Sequence, residues 1–232
     1  MPDVPIQRST DDAVGIVLAG GRSRRLRTAA LGPGGKAALI VAGESLLARI
    51  CRVVAGVVPR VIVVAAEQQP LPVLPAGVEV VRDSSPGAGP TSGLCDGLRH
   101  AALTETPSPR PRMAFVTACD SPLLAPAVIR LLLEMACEPR VRLVVPIIGG
   151  HPQVLASVVA LDLVEDVTAA AAEGVGLRSV VERLREQQPA AVRLVTADEV
   201  VKVDPGLESF FDVDTPADLA RLEARGIPSS RH

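Results

Sequence analysis

Residues Val14 to Leu39 read VGIVLAGGRSRRLRTAALGPGGKAAL, and this stretch decides the fold. It opens on a short apolar, partly β-branched run, Val14, Ile16, Val17 and Leu18, the pattern of a buried strand. The run empties into Ala19-Gly20-Gly21, then into Arg22, Arg24, Arg25 and Arg27. A second glycine-rich stretch, Gly32-Pro33-Gly34-Gly35, leads to Lys36. Glycines let backbone N–H groups approach a ligand closely. Arginine holds phosphate as a planar fork and lysine as a point charge. A strand that opens into glycines and then cations therefore suits a nucleotide triphosphate. Two commoner phosphate motifs are excluded by spacing. A P-loop needs glycine where Ala30 stands and Ser or Thr where Ala37 stands. A dinucleotide fingerprint needs G-x-G-x-x-G, which Gly20-Gly21-Arg22-Ser23 does not supply. The competing reading is an ordinary strand-to-helix loop with solvated arginines.

Working outward, the apolar runs alternate with helical periods along the chain. Ser45–Gly56 repeats apolar residues at helical spacing, and Val61–Ala65 and Val78–Val81 read as buried parallel strands. Ser92–Ala102 is helical, and Thr104–Arg112 carries Pro107, Pro109 and Pro111 and reads as a surface loop. Met113–Thr117 and Val141–Pro146 are strands on either side of a helix at Ala127–Ala136. Gln153–Val159 reads as an antiparallel strand. Helices at Leu161–Ala172 and Leu177–Arg185, a strand at Val192–Thr196 and a helix at Thr215–Ala224 complete the order. This alternation predicts a single α/β domain over residues 1–232, with a mostly parallel twisted sheet and helices on both faces. Residues 1–12 and 227–232 read as loose tails. In such folds ligands sit at the carboxyl ends of the strands.

Composition narrows the function classes. The chain has 232 residues, a formal net charge of −2, and neither Trp nor Tyr. Its global charge gives no footprint for nucleic acid. The longest apolar runs, such as Val61–Ala66 and Leu143–Ile148, are too short to span a bilayer, and the opening MPDVPIQRSTDD has no signal-peptide core. Cys51, Cys95, Cys119 and Cys137 lack metal-binding spacing and read as reduced thiols of a cytoplasmic protein.

Four further motifs carry chemistry. In Arg82–Leu94, Asp83 ends a strand, and Gly87, Gly89, Pro90 and Gly93 shape a tight path into a helix whose N-cap is Thr91 or Ser92. In Thr117-Ala118-Cys119-Asp120-Ser121-Pro122 an apolar strand ends at a carboxylate and the chain turns at proline. Asp83 and Asp120 also have plain readings as turn or cap residues. In Phe210–Leu219, Asp212 and Asp214 precede Thr215-Pro216, where Thr215 or Asp214 caps the last helix. In Gly149-Gly150-His151-Pro152-Gln153 a histidine sits in a glycine turn.

The first stretch resembles L-A-G-G-x-S-x-R-(M/L)…K, the signature loop of nucleotidyltransferases with a sugar-nucleotide-type, Rossmann-like fold. Together the motifs, in order over about residues 13–224, look most like the molybdenum cofactor guanylyltransferases. The resemblance implies that Leu18, Ala19, Gly20, Gly21, Arg22, Arg24 and Lys36 hold the triphosphate, with Arg22, Arg24 and Arg25 over the leaving pyrophosphate and Lys36 neutralising the charge of the transition state. It implies that Asp83, Gly89, Pro90 and Gly93 hold the guanosine part. Asp120 then holds Mg²⁺, joined by Asp214, while His151 and Asp212 face the substrate. The implied reaction moves GMP from GTP to a phosphorylated pterin of molybdopterin type and releases pyrophosphate. Partner proteins of cofactor biosynthesis would supply or receive the pterin. Three departures stand out. Gly35 replaces the family's Asp before the lysine, the loop is longer by about Thr28-Ala29-Ala30-Leu31, and Val63-Val64-Ala65-Ala66-Glu67 lacks the family's nucleotide-touching asparagine. Asp212 and Asp214 also replace family asparagines. The alternatives are a cytidylyltransferase or other nucleotidyltransferase with another acceptor, a nucleotide-binding module without catalysis, and a structural partner without ligand.

Overall fold

The computed structural model describes residues 10–19, 34–85, 89–103 and 111–230. Its strands and helices run β1 (Ala13–Leu18), β2 (Ile40–Val41), β3 (Glu44–Ser45), α1 (Leu46–Ala55), β4 (Arg60–Ala65), β5 (Glu79–Arg82), α2 (Pro90–Leu103), β6 (Met113–Ala118) and α3 (Pro126–Met135). They continue with β7 (Leu143–Ile148), β8 (His151–Pro152), β9 (Ala156–Ala160), α4 (Val164–Ala172), α5 (Leu177–Gln187), β10 (Val192–Thr196), α6 (Ala197–Val201), α7 (Pro216–Ala224) and β11 (Ser229–Ser230). The main sheet has the order β10-β7-β9-β6-β1-β4-β5, with β8 folded back on β7. β1 pairs parallel with β4 and β6, β4 with β5, and β7 with β10. β9 runs antiparallel between β6 and β7, as expected, but spans Ala156–Ala160 and not Gln153–Val159.

The alternation of β1 sorts its side chains into two cores. Ala13 and Val17 join Val63 and Phe115 under α1 and α3, where Leu47, Ile50, Val54, Ile129 and Leu132 are buried. Val14, Ile16 and Leu18 join Ile62, Val64 and Val116 under α2, α4 and α5. Two glycines allow close contact here. A Cβ on Gly15 would stand 2.2 Å from Val54 Cγ1, and one on Gly97 would stand 2.8 Å from Ile16 Cγ2. Neither distance is tolerated without movement of strand or helix.

Several expectations are corrected. Val78–Val81, expected to be buried, is the edge strand Glu79–Arg82, with Val80 and Arg82 exposed and Glu79 and Val81 half-buried, because no strand among the described residues lies beyond it. The N-cap of α2 is neither Thr91 nor Ser92. The helix starts at Pro90, a residue suited to the first helical position, so Thr91 and Ser92 are buried in its first turn. Leu161–Leu163 forms a separate 3₁₀ turn before α4. Residues 227–230, expected to be loose, return to the body. Ser229 and Ser230 pair antiparallel with Val41 and Ile40, and the Ala42 N–H donates to the Pro228 carbonyl. This small sheet, β11-β2-β3, sits on a third apolar cluster of Leu39, Val41, Leu46, Val213, Leu219 and Leu222. That cluster brings the last helix back to the carboxyl end of the main sheet.

Candidate active site

The parallel pairing continues one residue past the strand ends and lines up the motifs. Ala19 N–H donates to Val64 O at 2.8 Å, Cys119 N–H to Leu18 O at 3.2 Å, and Asp83 N–H to Ala65 O at 2.8 Å. Leu18, Ala19, Asp83 and Cys119-Asp120 therefore share the carboxyl edge, side by side. Gly20, Gly21, Arg22, Arg24 and Arg25 lie outside the described residues.

Lys36 reaches this edge from the 3₁₀ turn Gly35–Ala38. Gly35 enters that turn with φ +63°, a left-handed conformation that glycine adopts without strain. The buried Ala37 and the bond from Leu39 N–H to Lys36 O seat the turn. Lys36 Nζ donates to Asp120 Oδ2 at 3.0 Å and, by a very short contact, to Asp214 Oδ1. The side chain of Lys36 is 12% exposed, that of Asp120 23% and that of Asp214 46%. Burial works against the ammonium, but the Asp120 and Asp214 carboxylates outweigh it and hold its pKa above the ordinary 10.5. Lys36 is therefore a fixed positive charge.

Asp214 arrives by a different route. Val213 is fully buried in the third cluster, and its N–H donates to Asp120 O at 2.8 Å. Ser121 Oγ donates to Asp212 Oδ1 at 2.6 Å. Thr215 caps α7 by accepting from Asp218 N–H, while the Asp218 carboxylate accepts from the Thr215 and Asp214 N–H groups. Phe211 lies under the guanidinium groups of Arg221 and Arg225, 5.0 and 5.1 Å from its ring centre. The segment 211–215 is thus pinned at both ends and lays its aspartates along the Asp120 turn.

The Asp212 carboxyl has one open side, while the protein crowded around the other strips water from it. That desolvation, reinforced by the Asp120 and Asp214 charges, pushes its pKa up to about 6 against an opposing pull from Ser121 and Lys36. A folded-state value above the ordinary 3.8 means that the native protein holds this proton more tightly than the unfolded chain. The stability it contributes is present at and below about pH 4 and lost as the pH rises through about 6. Asp212→Asn keeps an acceptor for Ser121 and has no charge to desolvate. It is expected to melt above wild type near pH 8, with the gap closing near pH 4 in calorimetry. An equal gap at both pH values would show that the carboxyl is not shifted.

The remaining sites are placed as follows. Asp83 Oδ1 accepts from Ser85 N–H and Ser92 Oγ, so its turn role is real and it also ties the loop to α2. Gly89, at φ +99°, precedes Pro90, and Gly93 packs over Leu18 and Val64. His151 is exposed on the Gly149-Gly150 hairpin at the carboxyl end of β7, on the same edge of the sheet. Cys119 is buried, and burial with the neighbouring Asp120 charge pushes its thiol far up, so no thiolate nucleophile is available there. The residue that sequence reasoning missed is Gln69, whose amide contacts the backbone of both Ala19 and Gly34. A cleft of about 610 Å³ lined by Arg112, Arg140, Arg142 and Asp162 lies at the opposite, amino-terminal edge and touches none of these motifs.

Among the described residues no three His, Cys, Asp or Glu side chains converge on a metal position. Two carboxylates nevertheless converge on one cation, the Lys36 ammonium. Such a pair of carboxylates fits Mg²⁺, which takes few protein ligands and completes its shell with water and phosphate oxygens.

A mostly parallel sheet whose carboxyl edge gathers a partly buried lysine and two aspartates is the framework of an α/β nucleotidyltransferase. Residues 15–201 match the MobA-like NTP transferase domain, and the chain belongs to that family. A Mycobacterium avium protein named as a probable molybdenum cofactor guanylyltransferase is 35% identical over 212 residues, 90% of this chain and 93% of its own. A Mycobacterium tuberculosis protein of the same name is 36% identical over 188 residues, 79% of this chain and 84% of its own. The crystal structure of molybdopterin-guanine dinucleotide biosynthesis protein A from Archaeoglobus fulgidus shares the fold, with a TM-score of 0.71 at 22% identity, over 92% of this chain and 98% of that one. A cytidylyltransferase from Thermus thermophilus shares it at 0.60 and 18%, over 92% of this chain and 98% of that one.

Proposed function

We propose that the chain transfers GMP from GTP to the phosphate of a molybdopterin-type pterin, releases pyrophosphate and uses Mg²⁺. The observation that carries this reading is the Lys36 ammonium between Asp120 and Asp214, at the strand ends where the nucleotide loop begins. Relatives of that name, matched over most of the chain, supply the substrate class. Asp120 and Asp214 would hold the metal, which screens the charge of two phosphate-bearing ligands. Lys36 meets the charge that develops on the transferring phosphate. Asp83, Gly89, Pro90 and Gly93 border the base side, and His151 borders the acceptor side. The reaction is positioning and charge neutralisation, with no covalent enzyme intermediate. Roles for Gly20 to Arg25 rest on the motif. No described helix is long and apolar enough to cross a membrane. The four free thiols support a reducing, cytoplasmic setting.

The test is a panel of dissociation constants for GTP, ATP, CTP and UTP with Mg²⁺ present. GTP is expected to bind tightest. Tighter binding of CTP would overturn the guanine assignment and leave the fold untouched.

A further inference from the structure

We propose that Gln69 is a positioning residue for the nucleotide site, a clamp that fixes the end of β1 against the turn carrying Lys36. The inference rests on the nucleotide reading above. Gln69 Nε2 donates to Ala19 O at 3.0 Å and to Gly34 O at 3.4 Å, and its Oε1 accepts from Ala66 N–H at 3.3 Å. The amide can face only one way, because two carbonyls require the NH₂ and one N–H requires the oxygen. Ala19 and Gly34 flank the glycine–arginine stretch in sequence, so one side chain sets the distance between its two ends.

The clamp is itself braced. Gln69 N–H donates to Ala66 O at 3.0 Å, closing the turn that follows β4. Arg82 Nη1, at the end of β5, donates to Ala66 O at 3.0 Å and to Gln69 O at 3.1 Å. The neighbouring Pro70 carbonyl lies 3.2 Å from where a Gly34 Cβ would be, so the Lys36 turn is pressed close against this one. Gln69 touches neither Lys36 nor a carboxylate in these contacts. It acts through the backbone, at the place where the sequence offers no asparagine to touch the nucleotide.

Without the clamp, two carbonyls lose their donors, and the Lys36 turn keeps its own packing through Ala37 and Leu39 but loses its side-chain tie to the end of β1. Its position relative to Ala19 then has to be restored when nucleotide binds. Gln69→Ala is expected to raise both the Kd and the KM for Mg-GTP about tenfold, the equivalent of two ordinary hydrogen bonds. Turnover at saturation should change by no more than about threefold, since the loss falls on ground state and transition state alike. Gln69→Glu turns a carboxylate toward two carbonyl oxygens and should be worse than alanine. Arg82→Ala should shift KM in the same direction by less. All three variants should melt cooperatively near wild type, because Gln69 is a half-buried turn residue outside the three apolar clusters.

Calorimetric titration with Mg-GTP, steady-state pyrophosphate release and melting curves test this together. Wild-type affinity in Gln69→Ala, alongside a wild type that binds Mg-GTP, would overturn the clamp alone. A larger fall in turnover than in affinity, or loss of cooperative melting, would also overturn it. A wild type that does not bind Mg-GTP would overturn the nucleotide reading and the clamp with it.

Discussion

Lys36→Ala is expected to slow pyrophosphate release by about a hundredfold or more. Its ammonium is a partly buried cation at the carboxyl edge, held above its ordinary pKa and therefore charged at every working pH. Losing one charge-assisted contact to a developing oxyanion typically costs about 3 kcal/mol of transition-state stabilisation, which is roughly two orders of magnitude in rate. The fold should survive, since Lys36 belongs to a short 3₁₀ turn whose packing comes from Ala37 and Leu39. Removing the ammonium does leave Asp120 and Asp214 facing each other without a cation. Lys36→Ala should therefore melt below wild type in EDTA and regain more than wild type does when Mg²⁺ or Mn²⁺ is added. It should also bind Mn²⁺ more tightly than wild type in the absence of nucleotide. Lys36→Arg should rescue turnover in part, because a planar fork cannot take the place of a compact point charge between two carboxylates. A wild-type rate of pyrophosphate release in Lys36→Ala would transfer the catalytic charge to another cation such as Arg25, or favour a binding module without catalysis.

Asp120→Ala is expected to remove turnover far more than nucleotide binding. The carboxylate lies two residues past the end of β6, and the Lys36 ammonium lies 3.0 Å from its Oδ2. A group that holds a divalent cation there matters most when charge moves onto the leaving pyrophosphate. The expected loss in turnover is about a hundredfold to a thousandfold, while Mg-GTP affinity falls by about tenfold or less. The turn itself should persist, because the Asp120 carbonyl that accepts from Val213 N–H belongs to the backbone. Asp120→Asn keeps shape and hydrogen bonding and removes the charge, so it should resemble alanine in turnover and wild type in melting. If Asp120→Ala retained most of the wild-type rate at saturating Mg²⁺, the metal would lie elsewhere. Asp214→Asn offers the graded comparison. It keeps an oxygen toward Lys36 but lowers the negative charge at the pair, so its effect should be smaller than that of Asp120→Asn.

Much of the architecture was legible before any coordinate. The β-branched run at Val14–Leu18, the helical spacing from Leu46 to Val54 and the antiparallel strand after His151 each emerged near where the pattern put them. Local periodicity works because it reports how a segment must face water and core whatever its neighbours are. It fails at edges. Val78–Val81 is apolar enough to read as buried, yet exposure there depends on whether another strand follows in the sheet, which no local pattern records. The Thr91 and Ser92 hydroxyls read as caps by type. They are buried inside the first turn instead, Thr91 donating to Val175 O and Ser92 to Asp83.

By itself the sequence determined the apolar strand that leads to Ala19, the placement of Asp83 and Asp120 at strand ends, and a cap for the last helix at Thr215 or Asp214, of which the structure uses Thr215. Each depends on residues within a few positions of one another, where backbone geometry and side-chain chemistry are coupled directly. Only the tertiary structure decided which charges meet. Lys36 is 84 positions from Asp120 and 178 from Asp214, and their contact exists because Val213 is buried under the small sheet formed by β2, β3 and the returning β11. The same holds for Gln69, which is an unremarked polar residue in sequence and a bridge between two chain ends in space. Hydrogen-bond partners and ion pairs of this kind follow from the path of the whole chain, because their energies depend on distances that sequence separation does not constrain.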